Sequence, residues 1–208
     1  MAKLRILVVM MVLLALTLAC SGGKTVTPEP RNTPVVTEEP PVTGKIKITI
    51  ANQSARDICD VRISSTDSES WGDNLLSGKI ANGKSKAFTL SAGTYDVIVY
   101  DCDDVALASA WSIDANYTLN VGGSGLVEVF LKNDSSSKVC YVYISPVTND
   151  SWGDDWLGAK EGINPGEGRV FFVEPGTYDL LAQDCDENTL AEEDGVEIQS
   201  DLTWTLQD

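Results

Sequence analysis

The chain contains no histidine among its 208 residues. That absence removes the commonest general base, the Ser-His-Asp and Cys-His catalytic arrangements, and every histidine-ligated metal site. Positive charge is scarce as well: 15 Lys+Arg stand against 31 Asp+Glu, a formal net charge of −16. Nucleic acid needs a basic surface to meet its phosphates, so no nucleic-acid partner is expected. A surface clinging to anionic headgroups is disfavoured for the same reason. No Cys-x-x-Cys occurs among the 5 cysteines, which argues against a metal cluster or a redox pair.

What is present begins with an export pattern. Lys3 and Arg5 supply a positive start, and Ile6 to Ala19 is an apolar run interrupted only by Thr17. Its 14 residues fall short of the ~20 that a membrane-spanning helix needs. The stretch Leu16-Thr17-Leu18-Ala19-Cys20 resembles the bacterial lipobox, with Thr17 where leucine is usual. The resemblance implies cleavage before Cys20, diacylation of that cysteine, and a membrane partner reached through the lipid. Two or more acyl chains anchor stably where one is marginal. Residues 1–20 are thus expected to be a lipoprotein signal. Residues 21–44 read as a disordered tether. Pro28, Pro30, Pro34, Pro40 and Pro41 hold it extended, and at ~3.1 Å per residue its reach is at most about 75 Å.

Beyond the tether one unit is written twice. Cys59 to Trp71 aligns with Cys140 to Trp152 at an offset of 81, and Gly93-Thr94-Tyr95-Asp96 with Gly176-Thr177-Tyr178-Asp179 at an offset of 83. Asp101-Cys102-Asp103 matches Asp184-Cys185-Asp186, so two residues are inserted in the second copy between the matched blocks. The boundaries read as 45–121 for copy 1, a Gly-rich joint at 122–125, and 126–208 for copy 2. Ile46, Ile48 and Ile50 alternate with polar neighbours, as do Val127, Val129 and Leu131, which is the period of a half-buried strand. Turn signals at Asn82-Gly83, Ala92-Gly93, Pro165-Gly166 and Pro175-Gly176 separate further short strands. The expected fold class is all-β: two tandem small β-sandwiches, each of six to seven strands with one internal disulfide. An exported chain meets an oxidising compartment, and the repeat selects Cys59–Cys102 and Cys140–Cys185 as the pairs. Cys102 has the opposite parity to Tyr95, Val97 and Val99, so a bulge near Tyr100–Asp101 is expected to turn it inward.

Three constellations are candidates for chemistry. Asp101 and Asp103, with Asp184 and Asp186, share strand faces on which two carboxylates can converge on calcium, helped by Asp73 or Asp154. The same aspartates also suit polar turns, where the side chain bonds its own backbone. Trp71 and Trp152, each in a Ser-Trp-Gly-Asp loop, form with Trp156, Tyr141 and Tyr143 an aromatic platform for a sugar or a peptide. The alternative is that the tryptophans plug one end of the fold and the tyrosines are cross-strand pairs. Paired carboxylates for acid–base hydrolysis are the third, in a fold with little room for a cleft.

The pattern Cys-x-Val-x-Ile-Ser, Ser-Trp-Gly-Asp-x-x-Leu, Pro-Gly-Thr-Tyr-Asp-Leu and Asp-Cys-Asp, best kept in copy 2, resembles a bacterial family of small extracytoplasmic β domains. No activity is established for that family, so the resemblance implies a setting and no functional residues. Together these features lead to a non-catalytic binding or structural display module at the cell envelope, with a protein or glycan partner. A calcium-dependent adhesion or assembly module and a small carboxylate-based hydrolase are the alternatives. Lipidation is directly testable. Cys20→Ser is expected to abolish palmitate labelling and move the chain out of the membrane fraction, and label retained on that variant would overturn the anchor.

Overall fold

The computed structural model describes residues 44–208. The signal, Cys20 and the tether up to residue 43 lie outside the described residues. The described chain holds twelve strands and no helix: β1 (Lys45–Asn52), β2 (Ile58–Ser65), β3 (Ser85–Ser91), β4 (Tyr95–Asp101), β5 (Ala106–Ile113) and β6 (Tyr117–Val121) from copy 1, then β7 (Val127–Asn133), β8 (Tyr141–Pro146), β9 (Gly168–Val173), β10 (Gly176–Gln183), β11 (Thr189–Ile198) and β12 (Leu202–Leu206) from copy 2. Two sheets have three strands, in the orders β3-β1-β6 and β11-β10-β8, and one has six, β12-β7-β9-β5-β4-β2. Each copy therefore contributes the same two strand triplets. In the six-stranded sheet a triplet of each copy is joined through a parallel bridge between β5 and β9, with Ala106 opposite Arg169. The all-β class and one disulfide per copy stand. The sheet that runs through both copies was not legible from the repeat.

The alternation in the sequence accounts for the cores. Ile46, Ile48 and Ile50 of β1 are buried while Lys45 and Lys47 face out, and β7 repeats this with Val129 and Leu131. Copy 1's core gathers these isoleucines with Val97, Val99, Leu107 and Val121, from both of its triplets. Copy 2's core is built likewise from Val142, Ile144, Leu180 and Trp204. Strand β9 belongs to both. Phe171 and Val173 face copy 2's core, whereas Val170, wholly buried, and the half-buried Phe172 pack into copy 1's. Its run Val170-Phe171-Phe172-Val173 is apolar without alternation because neither face meets water.

Polar residues that recur between the copies lock the turns. The buried Asn52 side chain donates to the carbonyls of Arg56 (2.7 Å) and Ile80 (2.8 Å) and accepts from Ser54. Asn133 does the same with Ser137, Ile163 (both 2.9 Å) and Ser135. Asp96 Oδ1 accepts the Ser112 amide and Asp179 Oδ1 the Gly195 amide, both at 2.9 Å, holding a bulge in β5 and β11. The bulge residue is left-handed in each copy, φ 53° at Ser112 and 67° at Gly195, a conformation glycine adopts without strain and serine does not.

Both disulfides form as the repeat selects, Cys59–Cys102 and Cys140–Cys185, across 43 and 45 residues. Closing loops of that length contributes about 4 kcal/mol each in the chain-entropy model. The bulge exists: the β2–β4 register shifts between Ile58 and Asp60, and the β4–β5 register between Val99 and Tyr100. It does not turn Cys102 inward. Cys102 and Cys185 are exposed and their partners half-buried, so each bridge ties strand ends at the surface rather than filling the core.

Truncating Asn133 to alanine removes one of two donors from each of the Ser137 and Ile163 carbonyls and leaves the buried Ser135 amide without its acceptor. The Asn133→Ala variant is expected to lose about 1–3 kcal/mol in urea unfolding. Lys132→Ala next to it, an exposed position, is expected to change little. Equal effects at the two positions would remove the turn-lock account.

Candidate functional site

The two-residue insertion of copy 2 can be placed. Leu76 and Leu157 match at an offset of 81, Ile80 and Ile163 at 83, so the extra residues fall within Gly158–Gly162. That loop reaches into copy 1. Lys160 Nζ lies 2.8 Å from Asp96 Oδ2, donates to the Ser65 carbonyl at 2.9 Å, and sits 5.8 Å from the centre of the Trp71 ring. Trp111, whose ring centre is 5.1 Å from that of Trp71, packs onto Gly158 so closely that a Cβ there would fall 1.8 Å from the ring. Only glycine fits. Glu161, buried, accepts from Ser109 Oγ (2.7 Å) and from the equally buried Arg169, which also donates to the Val170 carbonyl. On the far side Arg56 of copy 1 joins Glu128 of copy 2 (3.0 Å) to Asp101 (2.8 Å). A polar groove of about 470 Å³ runs beside these contacts, lined by Arg62, Trp71, Tyr100, Lys138 and Glu167 among others.

Trp71 thus packs against Trp111 and the Lys160 ammonium, half-buried at the side of the groove. Its counterpart has a different setting. Trp152 and Trp156, with Pro146, Asn149, Asp154 and Asp155, line a hollow of about 340 Å³ on copy 2. The Trp156 side chain is 38% exposed and meets Phe171 edge-on at 5.9 Å. Tyr143 supports Trp152 with ring centres 6.4 Å apart. Tyr141, on the same strand and half-buried, is not among the residues lining the hollow. The floor is fixed by Asp155, whose Oδ1 accepts the amides of Val142 (2.9 Å) and Leu157 (3.0 Å), as Asn74 does for Val61 and Leu76 in copy 1. Burial pushes the Asp155 carboxyl upward against the pull of those two amides.

The aspartates proposed for calcium are engaged in turns. Asp101 Oδ1 accepts the amides of Asp103 and Val105, both at 2.9 Å, and its Oδ2 pairs with Arg56. Asp184 Oδ1 accepts the amides of Asp186 and Asn188, again at 2.9 Å. Asn188, through side chain and amide, with the Asp186 amide, holds the Asp184 carboxyl below its ordinary range. Asp103, Asp186, Asp73 and Asp154 are exposed. Among the described residues no group of three or more acidic or cysteine side chains is gathered as a metal site. Lys160, Glu161, Arg169 and Asp96 went unnoticed as candidates in the sequence. Lys160 matches Lys79 of copy 1 at the offset of 81, and the signal for Glu161 was the insertion that follows it.

No family model and no curated protein matches the chain. Among solved structures it is similar over 78% of its length to the Bacillus anthracis TIE protein, at 13% identity and a TM-score of 0.26, spanning only 33% of that chain. A Streptococcal ancillary pilin is similar over 79% of this chain and 68% of its own, at 10% identity and a TM-score of 0.27. A family CBM26 module from Eubacterium rectale Amy13K, in complex with maltoheptaose, is similar over 78% of this chain and 91% of its own, at 10% identity and a TM-score of 0.25. Overlaps this loose carry no argument, and function is read from the chain's own geometry.

The ion pair between the copies is pH-sensitive. Burial drives the Asp96 carboxyl upward, but Lys160, the Ser112 amide and the Thr66 hydroxyl outweigh it and hold its pKa below the ordinary value. A depressed carboxylate stabilises above its unfolded pKa of ~3.9 and loses that contribution as pH falls through the folded value. The gap in melting temperature between the native chain and Asp96→Asn is therefore expected to be widest near neutrality and to close below about pH 4. A gap independent of pH would overturn the assignment.

Proposed function

We propose that this protein is a non-catalytic binding module, two tandem β-sandwich copies held at a bacterial membrane by the lipid on Cys20, with the Trp152–Trp156 hollow as its binding surface. One observation carries the reading: Trp152 and Trp156 of copy 2 line a hollow of about 340 Å³, beside which the large apolar Trp156 side chain stays exposed. Two surface disulfides support an extracytoplasmic setting. The hollow has aromatic walls, a fixed acidic floor and no room for a substrate to be enclosed, which favours recognition over turnover.

Copy 1 supplies the rigid mounting. It is joined to copy 2 by a shared sheet and a common core wall, so the hollow is carried on elements that do not move independently. The long proline-bearing segment then serves as the spacer from the membrane.

Retention of the full chain on washed, lipid-extracted envelope material tests this. The Trp156→Ala variant, altered at an exposed side chain, is expected to lose roughly tenfold or more in retention, since an aromatic anchor contributes about 2 kcal/mol. Prior protease treatment of the envelope separates a protein partner from a glycan. Retention unaffected by Trp156→Ala would reject the hollow as the binding surface.

A further inference from the structure

The turn that holds Asp155 occurs in both copies, with two substitutions. Asn74-Leu75-Leu76 of copy 1 becomes Asp155-Trp156-Leu157 of copy 2 at the offset of 81. Asn74 and Asp155 each give Oδ1 to a matching pair of amides, Val61 and Leu76 in one copy, Val142 and Leu157 in the other. Asn74 does more, since its Nδ2 donates to the Cys59 carbonyl at 2.9 Å. An ionised Asp155 has no hydrogen for the matching Cys140 carbonyl. The exchange therefore sacrifices a bond that copy 1 makes and places a charge in a half-buried turn. No ion pair among the described residues answers that charge. Of the nearby cations, Lys160 pairs with Asp96 and Arg169 with Glu161. Burial disfavours the ionised Asp155 most; the two amides oppose this, and the Glu161 charge adds to it.

The adjacent substitution points the same way. In place of Leu75 stands Trp156, with its ring exposed. Asp155 and Trp156 line a second hollow, of about 380 Å³, where the two copies join, together with Trp111, Leu119, Leu126 and Phe171. Arg169 borders it with its guanidinium committed to Glu161 and the Val170 carbonyl. A carboxylate without a cation, indoles beside it and an apolar lining complement an ammonium on an alkyl stem. Tryptophan is the ring that attracts a cation best. The chain already holds one ammonium this way: Lys160 lies 2.8 Å from Asp96 and 5.8 Å from the centre of Trp71. Charge agrees, because copy 2 carries 18 Asp+Glu against 4 Lys+Arg over residues 125–208, which draws cations and repels anions.

We propose that the hollow at the joint binds a primary ammonium on an unbranched alkyl stem, the side chain of a lysine-type residue in a partner peptide, with the ammonium on Asp155 and the stem along Trp156 and Trp111. An amino sugar fits less well, since its ammonium sits amid hydroxyls that Leu119, Leu126 and Phe171 cannot partner. The site borders the Trp152–Trp156 hollow through Asp155 and Trp156 but stands on the Asp155 carboxylate, so the two readings can fail separately.

The test uses the full chain in detergent micelles, with the indole N–H signals of Trp111 and Trp156 followed by NMR. The probes are N-acetyl-lysine methylamide, its Nε-acetylated form and glucosamine. The lysine derivative is expected to shift both signals and the acetylated form neither. Asp155→Asn, which installs the residue of copy 1, should weaken binding about tenfold. Its melting temperature should hold or rise, because asparagine can donate to the Cys140 carbonyl. Trp156→Leu, again copy 1's residue, should weaken binding about fivefold. Signals unmoved by the lysine derivative, an equal response to the acetylated form, or binding undiminished in Asp155→Asn would overturn the proposal. A lower melting temperature in Asp155→Asn would do so too, by making the carboxylate a folding residue. Tighter binding of glucosamine would assign the site to an amino sugar and overturn the peptide assignment. Envelope retention that depends on Trp156, with no response to the lysine derivative, removes the ammonium and leaves the Trp152–Trp156 surface standing. Retention indifferent to Trp156→Ala, with Asp155-dependent binding of the lysine derivative, rejects that surface and keeps this site.

Discussion

Val170 and Phe172 leave one face of β9 and Phe171 and Val173 the other, and this two-sided strand is what makes one body of two repeats. A unit of about 80 residues buries a marginal core, because so much of a small domain is surface. Sharing a wall reduces that deficit for both copies. Apolar burial, at about 25 cal/mol per Å² removed from water, is the source of the free energy. The ion pairs around the wall have a different part. Buried pairs such as Glu161–Arg169 gain little net stability after desolvation, yet removing one partner costs about 3–5 kcal/mol. They penalise every arrangement of the copies except the one in which Lys160 reaches Asp96 and Glu161 reaches Ser109.

The repeat made most of the fold legible. Strand faces, turn positions and both disulfide pairs follow from period-two alternation and from cysteines at matching places. It says less about a site. Residues shared by two copies of a unit are first those that the unit needs to fold, and Asp101, Asp184, Asp96, Asp179, Asn52 and Asn133 prove to be turn locks, their oxygens and amides engaged with backbone. Convergent carboxylates on a strand face looked suited to calcium because parity says where side chains point and nothing of which amides are near. The same limit explains Cys102: parity required a bulge, but a bulge at the end of β4 carries the cysteine to the surface as readily as to the core.

The joint was hidden for another reason. Reading each copy against the other draws attention to agreement, whereas the interface lies where they differ. Ala87 and Thr89 become Val170 and Phe172, Lys86 becomes Arg169, and three loop residues become five. Each change alone resembles drift. Together they convert an alternating edge strand into a doubly buried one and supply the loop that fills the neighbouring aromatic face. An unbroken apolar run in a chain of alternating strands is the sequence signature of that conversion.

Asymmetry between near-identical copies also sets β11 apart from its counterpart β5. The acidic run Glu192-Glu193-Asp194 has no equivalent in β5, and on the outermost strand of a sheet such charges deter indiscriminate pairing with other edges. Copy 2 thus retains the bulge geometry of copy 1 and replaces the apolar edge of β5 by charge. The sheet through both copies carries that charged edge and copy 1's core on one body.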